Sequence, residues 1–96
     1  MKTCNEILRC LAEHKAELAK RFKVRDLAVF GSYSRGDPKP DSDVDILVDV
    51  DPSIGLDFVS LALEIEKLIG EKVDLVSHRA VKPRHMQAIQ RELIHV

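Results

Sequence analysis

The run "DVDILVDV" at residues 43–50 constrains this chain more than any other stretch. Val44, Ile46, Leu47, Val48 and Val50 give it the apolar, β-branched character of a strand laid against a core, yet Asp43, Asp45 and Asp49 interrupt it and Asp51 follows directly. Side chains on a strand alternate faces, so Asp43 and Asp45 project to the same side with Cα atoms about 6.5–7 Å apart. An acid pair must then share a face close to the core, and such a pair calls for something cationic beside it. Immediately upstream, "GSYSRGDPKPDS" at residues 31–42 is rich in chain breakers.

The remaining elements follow from periodicity and caps. Thr3 and Glu6 form a T-x-x-E capping box, and Ile7, Leu8, Leu11, Leu18 and Phe22 recur at helical spacing, which predicts a helix over 4–22. "DLAVFGS" reads as a strand over 26–30, and "DVDILVDV" as a second over 43–50. "LDFVSLALEIEKLIG" keeps the i, i+3, i+4 pattern until Gly70 ends it, and "KVDLVS" is a third strand. "KPRHMQAIQREL" begins a last helix, with Pro83 in its first turn and Met86, Ile89 and Leu93 facing inward. The order α-β-β-α-β-α predicts a small α/β (α+β) domain in which a mixed three- or four-stranded sheet is flanked by helices. A doubly wound fold fits poorly, because strands and helices do not alternate cleanly.

At 96 residues and 45% hydrophobic, the chain is expected to be one domain, residues 1–96. A domain of that size hides only roughly 60–65% of its unfolded surface, which argues against a deep, enclosed pocket. No apolar run approaches the roughly 20 residues of a membrane span, and "MKTCNEILRC" lacks a signal-peptide core, so the expectation is a cytoplasmic protein with no membrane partner. Cys4 and Cys10 match neither a redox pair nor a zinc knuckle and read as reduced thiols. Charge is uneven: residues 1–25 carry seven basic groups and three acids (+4), residues 26–78 four and twelve (−8), and residues 79–96 four and one (+3). The acid gathers around the opening motif, and direct nucleic-acid binding is not expected.

Two carboxylates at i and i+2 on a strand can converge on one divalent ion or bracket two, and oxygen-only ligands suit Mg²⁺ or Mn²⁺. A calcium loop begins in the same way, with Asp41, Asp43 and Asp45, but Ile46 stands where its glycine belongs and Pro52 where its glutamate belongs. Gly31 and Ser32 directly follow the first strand. The glycine admits close approach of backbone amides to a ligand, and Ser32 adds a hydroxyl, a combination suited to phosphate. His14, His78, His85 and His95 lack zinc-ligand spacing, and Arg79, Lys82 and Arg84 read as a solvated helix start, with contact to a partner or nucleotide as the lesser alternative.

"GSYSRG" followed by "SDVDILV" resembles the GSxxRG…SDxDLxV signature of the nucleotidyltransferase superfamily related to DNA polymerase β. More narrowly, residues 4–96 resemble the minimal nucleotidyltransferases, short bacterial and archaeal proteins of little beyond the catalytic core. The one departure in the core motif is Ile46 for the usual leucine. The resemblance implies that Gly31 and Ser32 bind the β- and γ-phosphates of a nucleotide and that Asp43 and Asp45 hold two metal ions. It implies a third ligand at Asp74, acting as general base or as ligand only. It also implies a phosphate-loop role for Arg35, which either pairs with a carboxylate to support the loop or touches the triphosphate.

The implied reaction is in-line attack of a hydroxyl on the α-phosphorus of a nucleoside triphosphate, ATP first among them, with pyrophosphate leaving. The resemblance also implies an acceptor, since minimal nucleotidyltransferases are typically paired with a helical HEPN-domain partner and act as antitoxins that transfer AMP to its tyrosine. Two other functions remain open at this point. One is a binding module that neutralises the partner by contact alone, and the other is a small-molecule nucleotidyltransferase acting as a homodimer.

Overall fold

The computed structural model of the chain describes residues 2–96. Its first helix, α1 (Cys4–Phe22), starts at the expected capping box: the Glu6 N–H donates to the Thr3 hydroxyl at 3.2 Å and the Thr3 N–H to the Glu6 carboxylate at 3.0 Å. Lys23, in the left-handed region at φ 57, turns the chain out of the helix and into β1 (Val24–Phe30). A short helix α2 (Gly31–Arg35) follows, then β2 (Val44–Val50), α3 (Asp57–Ile69), β3 (Val73–Ser77), α4 (Pro83–Gln90) and β4 (Ile94–His95). Gly70 closes α3 at φ 71, its N–H donating to the Glu66 carbonyl at 2.8 Å.

The order α-β-β-α-β-α holds among the longer elements, and two short ones join it. Residues 31–35, read from the sequence only as part of a breaker-rich connection, form α2, and residues 94–95 add a fourth strand. The last helix is shorter than its apolar spacing suggested, ending at Gln90; Met86 and Ile89 are its half-buried positions, and Leu93, also half-buried, lies beyond its end. β1 begins two residues earlier than expected. A bulge between Val24 and Asp26 shifts its register, so Val24 faces the core out of phase with Leu27 and Val29.

The sheet runs β3-β2-β1-β4 and is mixed: β2 pairs parallel to β3 and antiparallel to β1, and β4 pairs antiparallel to β1. One face packs under α1 and α3. Ile7, Leu11 and Leu18 from α1 and Leu61, Ile65 and Ile69 from α3 meet Leu27, Val29, Val44, Ile46 and Val48 from the strands, all of them buried. Burying each such side chain is worth about 1.5–3 kcal/mol. A one-residue slip of β2 would expose Val44, Ile46 and Val48 and drive Asp45 into the core, so the register that turns Asp45 to the opposite face is firmly held.

That opposite face carries three rows of side chains. Phe30, Asp45 and Asp74 are register partners in the first, Ala28, Leu47 and Val76 in the second, and Asp26 and Asp49 in the third. α4 lies over the lower rows, where Met86 lines one cleft together with Ala28 and Leu47. Among the described residues no helix is long and apolar enough to cross a membrane.

Candidate active site

β1 delivers the chain to Gly31 at the top of the sheet, and Gly31 sits at φ 75, a conformation that favours glycine. A second constraint is spatial: a Cβ at this position would come 2.0 Å from Oδ2 of Asp45. Backbone and carboxylate are therefore in direct contact, and no side chain fits between them. Ser32 follows in the first turn of α2, half-buried, its carbonyl accepting from the Asp37 N–H at 3.0 Å. Gly36, at φ 82, ends the helix with its N–H donating to the Tyr33 carbonyl at 3.2 Å.

A five-residue helix has no stability of its own, so α2 must be held from outside. Tyr33, 1% exposed, is its hydrophobic anchor and joins the main core. Among the described residues the Tyr33 hydroxyl is buried without a hydrogen-bond partner, and burial, followed by the charges of Glu71 and Asp43, raises its pKa above the ordinary tyrosine value. Tyr33 lies within the breaker-rich stretch of residues 31–42. The structure makes it the peg that fixes the turn to the core.

Asp43 and Asp45 lie at the upper end of β2, and Asp74 lies at the matching end of β3. Asp45 and Asp74 are register partners on adjacent parallel strands, which stand about 4.8 Å apart. Asp43 lies one residue ahead of β2 rather than in it, and is exposed. Regular pairing starts only where Val44 meets Val73, with the Val44 N–H donating to the Lys72 carbonyl at 2.8 Å. Asp45 is half-buried, Asp74 exposed. Burial first, then the charges of Asp74 and Asp43, pushes the Asp45 pKa up from 3.8 to about 6, against the opposing pull of Arg35. Burial and the two neighbouring carboxylates both disfavour its charged form, and a divalent cation beside it would favour that form again.

Among the described residues no three acidic, His or Cys side chains are gathered closely enough to cage an ion by themselves. Carboxylate donors in register, with room left for other oxygens, fit Mg²⁺ or Mn²⁺, which keep water and phosphate in their shells. Arg35 pairs with carboxylates: its guanidinium donates to Glu92 at 2.8 Å and lies 3.5 Å from Asp37. Glu92 is the member of this neighbourhood that the sequence reading missed. Its one signal was being the sole acid among four basic groups in residues 79–96.

The clefts flank this row of carboxylates. A cleft of about 270 Å³ lies beside Asp43, between Pro40–Ser42 and Glu71–Lys72. A larger one, about 470 Å³, opens on the Asp45 face one pleat lower, lined by Ala28, Leu47, Met86 and Leu93 with Asp26, Asp49, His78 and His95. Neither is lined by Gly31 or Ser32. Gly31 is buried and Ser32 half-buried, and a third cleft of about 240 Å³ touches the turn at Tyr33 and Gly36.

Comparison with known proteins defines the class. Residues 11–95 match the family described as "Nucleotidyltransferase domain". The chain belongs to this nucleotidyltransferase family. Among curated proteins, it is 47% identical over 98 residues to the protein adenylyltransferase MntA of Thermococcus cleftensis, covering 100% of this chain and 98% of that one. A solved structure described as a minimal nucleotidyltransferase superposes with a TM-score of 0.78 at 38% identity, over 97% of this chain and 95% of that one. A chain of the toxin–antitoxin complex MntA–HpeT, in its Y104A mutant form, superposes with a TM-score of 0.68 at 25% identity, over 100% of this chain and 72% of that one.

Proposed function

We propose that this nucleotidyltransferase is a protein adenylyltransferase, moving AMP from ATP to a tyrosine hydroxyl of a HEPN-type toxin and acting as the antitoxin of that pair. The observation that carries the reading is the contact between Gly31 and Asp45. It joins a turn suited to phosphate directly to a row of carboxylates suited to divalent cations. The protein acceptor is supported by the adenylyltransferase relative and by the likeness to a chain of the MntA–HpeT complex. It is supported also by size, since a domain with only open clefts beside its site has little surface for orienting a second substrate, and a partner must bring that surface.

Asp43, Asp45 and Asp74 would hold two Mg²⁺ or Mn²⁺ ions, which when bound lower the pKa of the attacking hydroxyl and neutralise charge on the leaving phosphates. Ser32, through its hydroxyl and the amides of the turn, orients the β- and γ-phosphates. Gly31 keeps the turn against Asp45, and Arg35 braces it. Asp74, exposed on the edge strand β3 and in register with Asp45, would face an incoming hydroxyl and take its proton. The oxygen of that hydroxyl bonds to the α-phosphorus, the bond to the β-phosphate breaks, and pyrophosphate leaves. We place this activity in the cytoplasm, with the whole site carried by one domain, residues 1–96.

Mass spectrometry of the chain co-expressed with its toxin partner is the test. The reading requires AMP increments on a partner tyrosine, lost with Asp45→Asn. A partner inhibited in a stable complex yet unmodified would replace it with neutralisation by contact. Label from ATP appearing in a small metabolite instead would make the chain a small-molecule transferase.

A further inference from the structure

Glu92 lies in the turn between α4 and β4, and it touches α2 at both ends. Its Oε2 accepts from the Gly31 N–H at 3.0 Å, and its Oε1 accepts from the Arg35 guanidinium at 2.8 Å. Its carbonyl accepts from the Ser34 hydroxyl. The strand that follows is tied to β1, the strand that delivers Gly31: Ala28 pairs with His95, Val29 with Ile94, and the Val96 N–H donates to the Leu27 carbonyl at 2.9 Å. The C-terminal segment is thus fastened to both sides of the phosphate turn.

The geometry points to Glu92 as a positioning residue for nucleotide binding, acting through Gly31 and Arg35. Helices normally satisfy their first N–H groups with a polar residue at the N-cap, but the N-cap of α2 is Phe30, which makes no side-chain cap. Glu92 does that work from a remote place in the chain. Gly31 is then fixed on two sides, by Asp45 at the position a Cβ would take and by Glu92 at its N–H. With Arg35 held at the far end, the turn presents Ser32 in one orientation before any ligand arrives. Such preorganisation lowers the ordering cost of binding. The opposite role, a carboxylate that blocks the turn until phosphate displaces it, would require releasing its contacts to Gly31 and Arg35 together. The inference rests on the reading of Gly31 and Ser32 as the phosphate site.

Calorimetry of ATP with Mg²⁺ against wild type, Glu92→Ala, Glu92→Gln and Arg35→Ala tests it, with a melt of each variant and amide hydrogen exchange of residues 31–36 in the unliganded protein. Glu92→Ala is expected to weaken ATP binding about tenfold, the worth of one charge-assisted hydrogen bond, and to speed exchange at Gly31. Glu92→Gln keeps an acceptor for Gly31 and is expected to recover part of that affinity, which also covers the case in which the alanine variant fails to fold. Adding Glu92→Ala to Arg35→Ala should cost less than the sum of the two. Unchanged affinity in a folded Glu92→Ala or Glu92→Gln, or tighter binding in either, overturns the positioning role while leaving the proposed activity standing. A wild-type protein that binds no nucleotide with Mg²⁺ removes the phosphate site and this inference together.

Discussion

Oδ2 of Asp45 occupies the space that any side chain at residue 31 would need, 2.0 Å from the position of a Cβ on Gly31. The glycine of this turn is therefore required by the Asp45 carboxylate, the proposed metal ligand, as much as by its own backbone, which lies at φ 75. Gly31→Ala must meet both demands at once. It is expected to destabilise the fold by about 2 kcal/mol, from left-handed strain plus displacement of Asp45, and to remove most of the transfer activity. A chemical-denaturation curve beside the transfer assay checks it, and a variant with wild-type values in both would show that the turn and Asp45 are not coupled.

The raised pKa of Asp45 gives the metal-free protein a distinctive pH response. The folded state holds this proton more tightly than the unfolded chain, with a pKa of about 6 against 3.8. The stabilisation from that proton is complete below pH about 4, is lost as pH rises through about 6, and stays absent above. Other carboxylates act in the opposite sense: Glu92 and Asp51 have lowered values, so their contributions fade as pH falls. The comparison must therefore be with Asp45→Asn. In EDTA this variant should melt above wild type at pH 7.5, with the gap closing towards pH 4, while losing most of its transfer activity when metal is supplied. A gap that does not change with pH would mean that Asp45 is not the strained acid.

Most of the fold was legible because its signals are local. The Thr3–Glu6 box, the Gly70 stop and the alternation of Val44, Ile46 and Val48 with acids each declare an element within a few residues. What could not be read is what tertiary contact creates. Helix α2 is built from Gly, Ser, Tyr, Ser and Arg, a composition that suggests a loop, and it is helical because Tyr33 is buried and Glu92 caps it from the far end of the chain. β4 is two exposed residues whose strand character exists only in their pairing with Ala28 and Val29. The candidate site divides in the same way. Asp45 and its motif neighbours stood out by spacing, whereas the pairing of Asp74 with Asp45 depends on a parallel register that no short stretch encodes.

Nucleotide binding should depend on a divalent cation. Residues 26–78 carry a net charge of −8, and the Arg35 cation nearest the turn is already paired with Glu92 and Asp37. Without metal, a triphosphate would face Asp43, Asp45 and Asp74 directly. Affinity for ATP is expected to fall by more than about tenfold in EDTA, since one charge pair at ~4 Å and an effective dielectric near 20 is worth about 4 kcal/mol. Calorimetric titration with and without Mg²⁺ measures this, and equal affinity in both would take the metal out of the reading.

Tyr33 separates anchoring from chemistry, because it is a hydroxyl next to the phosphate turn that a mechanism could be tempted to use. Among the described residues that hydroxyl is buried with no partner, and its pKa is raised, so it is neutral and poorly placed to give or take a proton. What the turn needs from Tyr33 is the ring, 1% exposed in the core. Tyr33→Phe removes an unsatisfied polar atom and keeps the ring, so it is expected to stabilise the fold by up to about 1 kcal/mol and leave transfer activity near wild type. Tyr33→Ala empties the anchor site and should cost about 3–5 kcal/mol, with nucleotide affinity falling as α2 comes loose. Denaturation curves and ATP titrations of the two variants decide the matter. Activity lost in a stable Tyr33→Phe protein would assign the hydroxyl a direct part in the reaction and refute the purely structural role.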